Sequence, residues 1–198
     1  MVLQSIVSYI GQALRFLCHP DKYQVNNLED DMLSYSQAAS QIKSGDLLAF
    51  SHFGWSTWHD IKVQAVRMFT RSEYSHVGIA WVECGRIFVL EAVMPVVRIF
   101  PLEKLGEFYW LPTPQNYWDL EVEERAFSIV GEEYSQLQAI QSYFEQPEMD
   151  KKWQCCEYAR EILRHGGYDE LLDVKPTPSN IVKAAQEAGF GFELVKPD

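Results

Sequence analysis

The sequence predicts an α+β protein, and three observations carry that reading. Short apolar runs bounded by turn residues follow one another between Leu47 and Leu111. From Asp119 onward, apolar residues recur at helical spacing instead. Strands and helices are thus grouped rather than alternating, which describes a meandering antiparallel sheet with helices at both ends.

The elements justify themselves in order. Val2 to Leu17 sets Ile6, Ile10, Ala13, Leu14 and Leu17 at helical spacing and ends before His19-Pro20. This predicts an amphipathic helix that packs on the core or serves as a docking arm, and its polar face lacks the basic residues of a membrane binder. Asp21 to Gln41 is polar, with the acidic run Glu29-Asp30-Asp31, and reads as a connector. Ser44-Gly45-Asp46 is a turn, and Leu47-Leu48-Ala49-Phe50 a short buried strand. Thr57 can cap a helix from Trp58 to Phe69. Tyr74 to Val82 and Arg86 to Val93 are strands joined by the tight turn Cys84-Gly85. Val96 to Phe100 and Glu107 to Leu111 are two more strands. Helices follow over Asp119 to Val130, Ser135 to Phe144 and Lys151 to Leu163, the last stopped by Gly166-Gly167 after Arg164-His165. Pro176 to Ser179 leads into a last helix, Asn180 to Ala188, and Phe190 to Val195 adds an edge strand.

Composition excludes some functions. The chain has 198 residues and a formal net charge of −11. Such a chain has nothing to neutralise phosphates, so nucleic acid is not its partner. Stable anchoring to an anionic membrane is disfavoured for the same reason. The N-terminus has no cationic region before an apolar one, hence no signal peptide, and no run is long enough to span a bilayer. The expected setting is cytoplasmic, or that of a phage-borne or injected effector. Cysteines are few and irregularly spaced (Cys18, Cys84, Cys155, Cys156), which fits a reducing compartment and neither a disulfide framework nor a zinc pattern. The oligomeric state is not legible.

Four residues can do chemistry. Cys155 and Cys156 lie in the first turn of a helix, where unpaired N–H groups and the helix dipole favour thiolate. His76 stands at the start of an otherwise apolar strand, so its ring is either satisfied or used. Glu91 puts a carboxylate at the end of the apolar run Ile87 to Leu90, and a carboxylate so flanked usually has a partner. In the hairpin, Glu91 lies near His76 and can fix its tautomer, leaving the other nitrogen for a thiol. A satisfied histidine and a surface salt bridge remain the alternative, and spacing does not choose between Cys155 and Cys156.

The ordered set Gly45-Asp46-Leu47-Leu48, Tyr74-Ser75-His76-Val77-Gly78-Ile79, Leu90-Glu91-Ala92, Gly131-x-x-Tyr134, Cys155-Cys156-Glu157 and Thr177-Pro178-Ser179-Asn180 resembles the permuted papain-like amidases. These are the YiiX/YaeF-like branch of the NlpC/P60 superfamily, related to lecithin–retinol acyltransferase-like proteins. The resemblance spans roughly residues 45–188. It implies a circularly permuted papain-like fold, an antiparallel sheet against helices with the nucleophile at a helix N-terminus. Residues 42–198 would form the catalytic domain, and residues 1–41 an N-terminal helix and connector. It implies Cys155 as nucleophile, His76 as base and Glu91 as third member, with no cofactor or metal. Tyr74 and Tyr134 are weaker candidates for substrate or oxyanion contact. Where this chain has Cys155-Cys156-Glu157 the family often has Cys-Ser-Glu, which keeps Cys156 a rival. The segment from Phe53 to Ser72, with Trp55, Trp58, Arg67, Phe69 and Arg71, is either a wall of the substrate groove or a core helix.

The implied chemistry is thiol-mediated acyl transfer from an amide or ester. The substrate is a cell-wall-type peptide, if the chain is an amidase or endopeptidase, or an acyl lipid, if it is an acyltransferase or thioesterase. A binding module that retained the fold is the third reading.

Overall fold

The computed structural model describes residues 32–51, 74–134, 153–169 and 174–198. The helices expected over Val2 to Leu17, Trp58 to Phe69 and Ser135 to Phe144 lie outside those residues.

Among the described residues, seven strands form one open sheet. They are β1 (Met32–Ser34), β2 (Leu47–Phe50), β3 (His76–Glu83), β4 (Arg86–Val93), β5 (Val96–Pro101), β6 (Phe108–Leu111) and β7 (Glu193–Lys196). Their order is β1-β7-β6-β2-β3-β4-β5. Helices α1 (Tyr35–Ala39), α2 (Leu120–Ser128), α3 (Cys155–His165) and α4 (Pro178–Glu187) complete the described elements. The α+β class stands.

Two details differ from the sequence expectation. The sheet is mixed, because β1 runs parallel to β7 while the other ladders are antiparallel. The last strand is therefore not at the edge. The compact unit also begins at Met32, ten residues before Ile42. Polar composition suggested a connector here, but β1 pairs with β7, Ser34 caps α1, and Ala38 and Ile42 are buried.

Strand alternation divides the core into two layers. Leu47 and Ala49 of β2, Val77 and Ile79 of β3, and Leu90 and Ala92 of β4 face α2, α3 and α4. Leu48 and Phe50, Ala80, and Ile87 and Val89 point the other way, onto Ala38, Leu102, Phe108 and Trp110. Asp46 anchors this second layer. Its carboxylate accepts from Trp110 Nε1 (2.8 Å), Lys43 N (2.9 Å), and Thr113 N and Oγ1 (3.0 and 3.1 Å). A buried carboxylate bonded four times is satisfied rather than reactive.

Helix α3 carries the densest apolar stripe: Tyr158, Ala159, Ile162 and Leu163 are fully buried. Each such Ile or Leu contributes roughly 1.5–3 kcal/mol by burial, enough to seat the helix on β3 and β4. The buried Tyr158 hydroxyl donates to Ala126 O of α2 (3.2 Å). Arg125 of α2 bonds Glu161 of α3 through Nε (3.0 Å) and Nη2 (2.9 Å), fixing the helix pair.

Candidate active site

The start of α3 is placed by backbone bonds to the far end of the sheet. Gly131 N donates to Val97 O (2.8 Å) and Val97 N to Glu132 O (2.9 Å), which ties residues 131–134 to β5. Tyr134 N donates to Pro95 O (2.8 Å), and Trp153 N to Glu133 O (2.9 Å). Trp153 is thereby held two residues before Cys155. Gln154 is the N-cap, its N–H donating to Glu157 Oε2 at 3.2 Å. Glu157 also places a negative charge in the first turn, where the helix dipole favours it.

His76 opens β3, on the same face as Gly78 and Ala80. Glu91 of β4 and Arg98 of β5 share that face, paired across the ladder. His76 Nε2 and Glu91 Oε2 lie 2.7 Å apart. Arg98 donates to the other carboxylate oxygen, Oε1, from Nε (2.9 Å) and Nη2 (2.8 Å). The Glu91 side chain is only 3% exposed, so both oxygens are committed inside the protein. Cys155 lies against the same imidazole, and each group perturbs the ionisation of the other. The four side chains form a continuous row, Cys155–His76–Glu91–Arg98.

The electrostatics follow from these contacts. Burial disfavours a charged His76, but the hydrogen bonds to Cys155 and Glu91 outweigh it and push its pKa up to about 10. Burial also opposes ionisation of Glu91, and the bonds from His76 and Arg98 outweigh that and hold it below the ordinary carboxylate value. The Cys155 thiol is held well below the ordinary cysteine value. The Cys156 thiol, 3.8 Å away, stabilises it first, against the cost of burial, and His76 and the Val77 N–H add to this. Burial and the neighbouring Cys155 push Cys156 the other way, well above the ordinary value. The two neighbouring thiols are thus shifted in opposite directions, Cys155 down and Cys156 up.

The structure brings Cys155, His76 and Glu91 together. Tyr74 is packed edge-on against Tyr109 (5.1 Å between ring centroids) and Phe192 (6.5 Å). Tyr134 enters through its backbone, in the bridge to Trp153 that seats α3. Arg98 escaped the sequence reading. Its signal was a charge inside the apolar run Val96 to Phe100, the same oddity that marked Glu91 in β4. A surface hollow of about 620 Å³ lined by Leu33, Ile42, Asp46, Trp110 and Thr113 does not include this row.

No protein-family model matches the chain, and no curated protein matches it. One solved structure to which it is similar is described as the metalloprotein yiiX, DUF1105, from Escherichia coli O157:H7. The two share 19% identity over 68% of this chain and 69% of that one, with a TM-score of 0.47. Among the described residues, no helix is long and apolar enough to cross a membrane.

Proposed function

We propose that this chain is a cysteine hydrolase that cleaves an amide or ester through a thioester on Cys155. The carrying observation is the row in which Cys155 lies against His76 and His76 Nε2 lies 2.7 Å from Glu91 Oε2. The Cys155 thiolate attacks the carbonyl carbon, and the oxyanion forms at the positive end of α3, where first-turn N–H groups such as that of Cys155 have no intrahelical acceptor. The C–N or C–O bond then breaks as the His76 imidazolium passes its proton to the leaving group. Neutral His76 next takes a proton from water, which attacks the thioester. The acid leaves, and thiolate and imidazolium are restored. Glu91 holds the imidazole in the tautomer that presents Nδ1 to the thiol.

The motif set supports a cell-wall-type peptide as substrate, and amidase or endopeptidase cleavage as the reaction. The metalloprotein description belongs to the E. coli protein. Here both Glu91 oxygens and His76 Nε2 are committed to hydrogen bonds, and no group of three or more metal-ligating side chains is gathered among the described residues. No step above uses a metal.

The test is site-resolved alkylation near neutral pH, read by mass spectrometry. Cys155 is expected to label first. Both thiols of the pair are buried, but Cys155 keeps 7% exposure where Cys156 has none, and the bond from Cys84 to Glu83 (3.2 Å) raises the pKa of that exposed thiol. His76→Ala should slow the labelling. Preferential reaction at Cys156, Cys84 or Cys18 removes the proposed nucleophile. Incubation with cell-wall peptides should then release fragments that a Cys155→Ala chain does not. Fragmentless incubation beside turnover of acyl lipids would transfer the reading to the lipid-acyl branch.

A further inference from the structure

The row at the site alternates in sign: thiolate, imidazolium, carboxylate, guanidinium. With all four groups ionised its charge sums to zero, which is how a buried set of charges avoids a large desolvation cost. Remove the guanidinium and the set carries an uncompensated negative charge. A buried cluster relieves that by binding a proton, and Cys155 and Glu91 are its two acceptors.

We propose that Arg98 is a positioning residue for this site: its two hydrogen bonds to one oxygen of Glu91 keep the carboxylate ionised and aimed, so that the other oxygen holds His76 over Cys155. The inference rests on the Cys155–His76 reading above. Three observations carry it. Both Arg98 bonds are short and go to a single oxygen, Oε1 (2.9 and 2.8 Å), while Oε2 is reserved for His76 (2.7 Å). Arg98 stands directly across the β4–β5 ladder from Glu91, so the backbone delivers it. Its guanidinium stacks on Phe100 at 4.4 Å, which fixes the plane of the fork. An exposed ion pair is worth little, and Arg98 is 41% exposed; its partner, at 3%, is not. The value of the contact lies in what it does to the buried carboxylate. Among the described residues, the charged and titratable groups facing Cys155 are His76, and through it Glu91 and Arg98, from the sheet, and Cys156 from its own helix. Cys156 in turn is faced by Glu157 and Arg160.

The experiment is the pH dependence of Cys155 alkylation in the full chain, followed beside thermal unfolding. Arg98→Met keeps the stem over Phe100 and removes the charge. A directly neighbouring opposite charge moves a pKa by about 1–3 units, so acting through Glu91 and His76 it should move the alkylation midpoint upward by roughly one unit. At a pH below the midpoint this is roughly a tenfold slower reaction. Arg98→Lys, which restores the charge with fewer bonds, should recover most of the shift. In a Glu91→Gln background, Arg98→Met should add nothing, because its path runs through that carboxylate. A midpoint that stays put in Arg98→Met, with or without a lower melting temperature, overturns the proposal and leaves a structural ion pair. If Arg98→Met does not fold, Arg98→Gln, which also removes the charge but keeps a donor, decides: an upward shift supports the proposal, and an unchanged midpoint overturns it. The wild-type curve separates this failure from that of the hydrolase reading. A wild-type Cys155 that titrates like a free thiol defeats both, whereas an acid-shifted wild type with an unmoved variant defeats Arg98 alone.

Discussion

Glu91 Oε2 reaches His76 Nε2 at 2.7 Å, although the β3–β4 register sets Gly78 opposite Glu91 and places His76 one diagonal step beyond. Diagonal neighbours on a sheet face lie about 7–8 Å apart at the backbone, so a long side chain has to cross over the intervening residue. A glycine there leaves the path open. The contact thus depends on a residue that contributes no side chain.

Gly78→Ala tests that dependence. A Cβ at this position would stand 2.5 Å from Val89 Cγ2, 3.0 Å from Leu90 O and 3.4 Å from Glu91 Cβ. Two of these are too close, and one is backbone that cannot step aside. Overpacking of this kind costs about 1–3 kcal/mol. The expected result is a lowered melting temperature together with slower alkylation of Cys155. An unchanged melting temperature would show that the strands are not this close.

Glu91→Gln separates orientation from packing. The variant keeps the size of the side chain and loses the charge. Both carboxylate oxygens accept hydrogen bonds, one from Arg98, so the amide NH₂ of Gln must face a donor on one side. Leaving a buried donor unsatisfied costs about 1–3 kcal/mol, and some loss of stability is expected. The deciding readout is the alkylation rate of Cys155, which should fall roughly tenfold or more if one pKa unit of thiolate stabilisation is lost. A melting temperature that drops while the rate holds would make Glu91 a purely structural carboxylate.

Local signals were legible where the chain is periodic. Strands β2 to β6 were read within a residue or two, because short apolar runs between turn residues leave few alternatives. The Cys84-Gly85 hairpin followed from its turn residues, both of which adopt positive φ, 50° and 74°. His76 and Glu91 stood out as polar residues in apolar strands. Illegible were contacts whose partners lie far apart in sequence and leave no local trace. Met32–Ser34 is three residues long and pairs with Leu194 and its neighbours at the other end of the chain. Arg98 gains its meaning only once β5 lies beside β4. Asp46 looked like a turn residue because nothing local announces Trp110 and Thr113 as its donors.

Truncation probes the first of these. A chain beginning at Met32 retains β1 against β7 and the buried Ala38, and should unfold cooperatively near the temperature of the parent. A chain beginning at Ile42 uncovers the flank of β7, where Val195 is fully buried. Exposed strand edges invite association, so this shorter chain should melt lower and aggregate. Equal melting temperatures for the two would return residues 32–41 to the role of a connector.

The pH dependence of the cysteine carries the mechanism. The depressed pKa of Cys155 owes most to the Cys156 thiol, then to His76 and the Val77 N–H, all working against burial. His76 is raised to about 10, burial being outweighed by Cys155 and Glu91. The signs differ. A raised histidine stabilises the folded chain fully below its ordinary value of about 6.5, and that contribution disappears as pH rises through about 10. A depressed cysteine contributes above its ordinary value of about 8.5, and the contribution fades as pH falls through the folded-state value. Thiolate and imidazolium coexist from the depressed cysteine value up to about 10. Alkylation, which needs only thiolate, should be level through neutral pH and fall only on the acid side. Hydrolysis also needs the imidazolium proton, so it should fall again near pH 10, where alkylation does not. His76→Ala should move the alkylation midpoint of Cys155 upward and slow the reaction on the acid side, while the share supplied by the Cys156 thiol and the Val77 N–H remains. A wild-type alkylation rate that climbs through pH 8 to 9, as a free cysteine does, would mean that no ion pair forms.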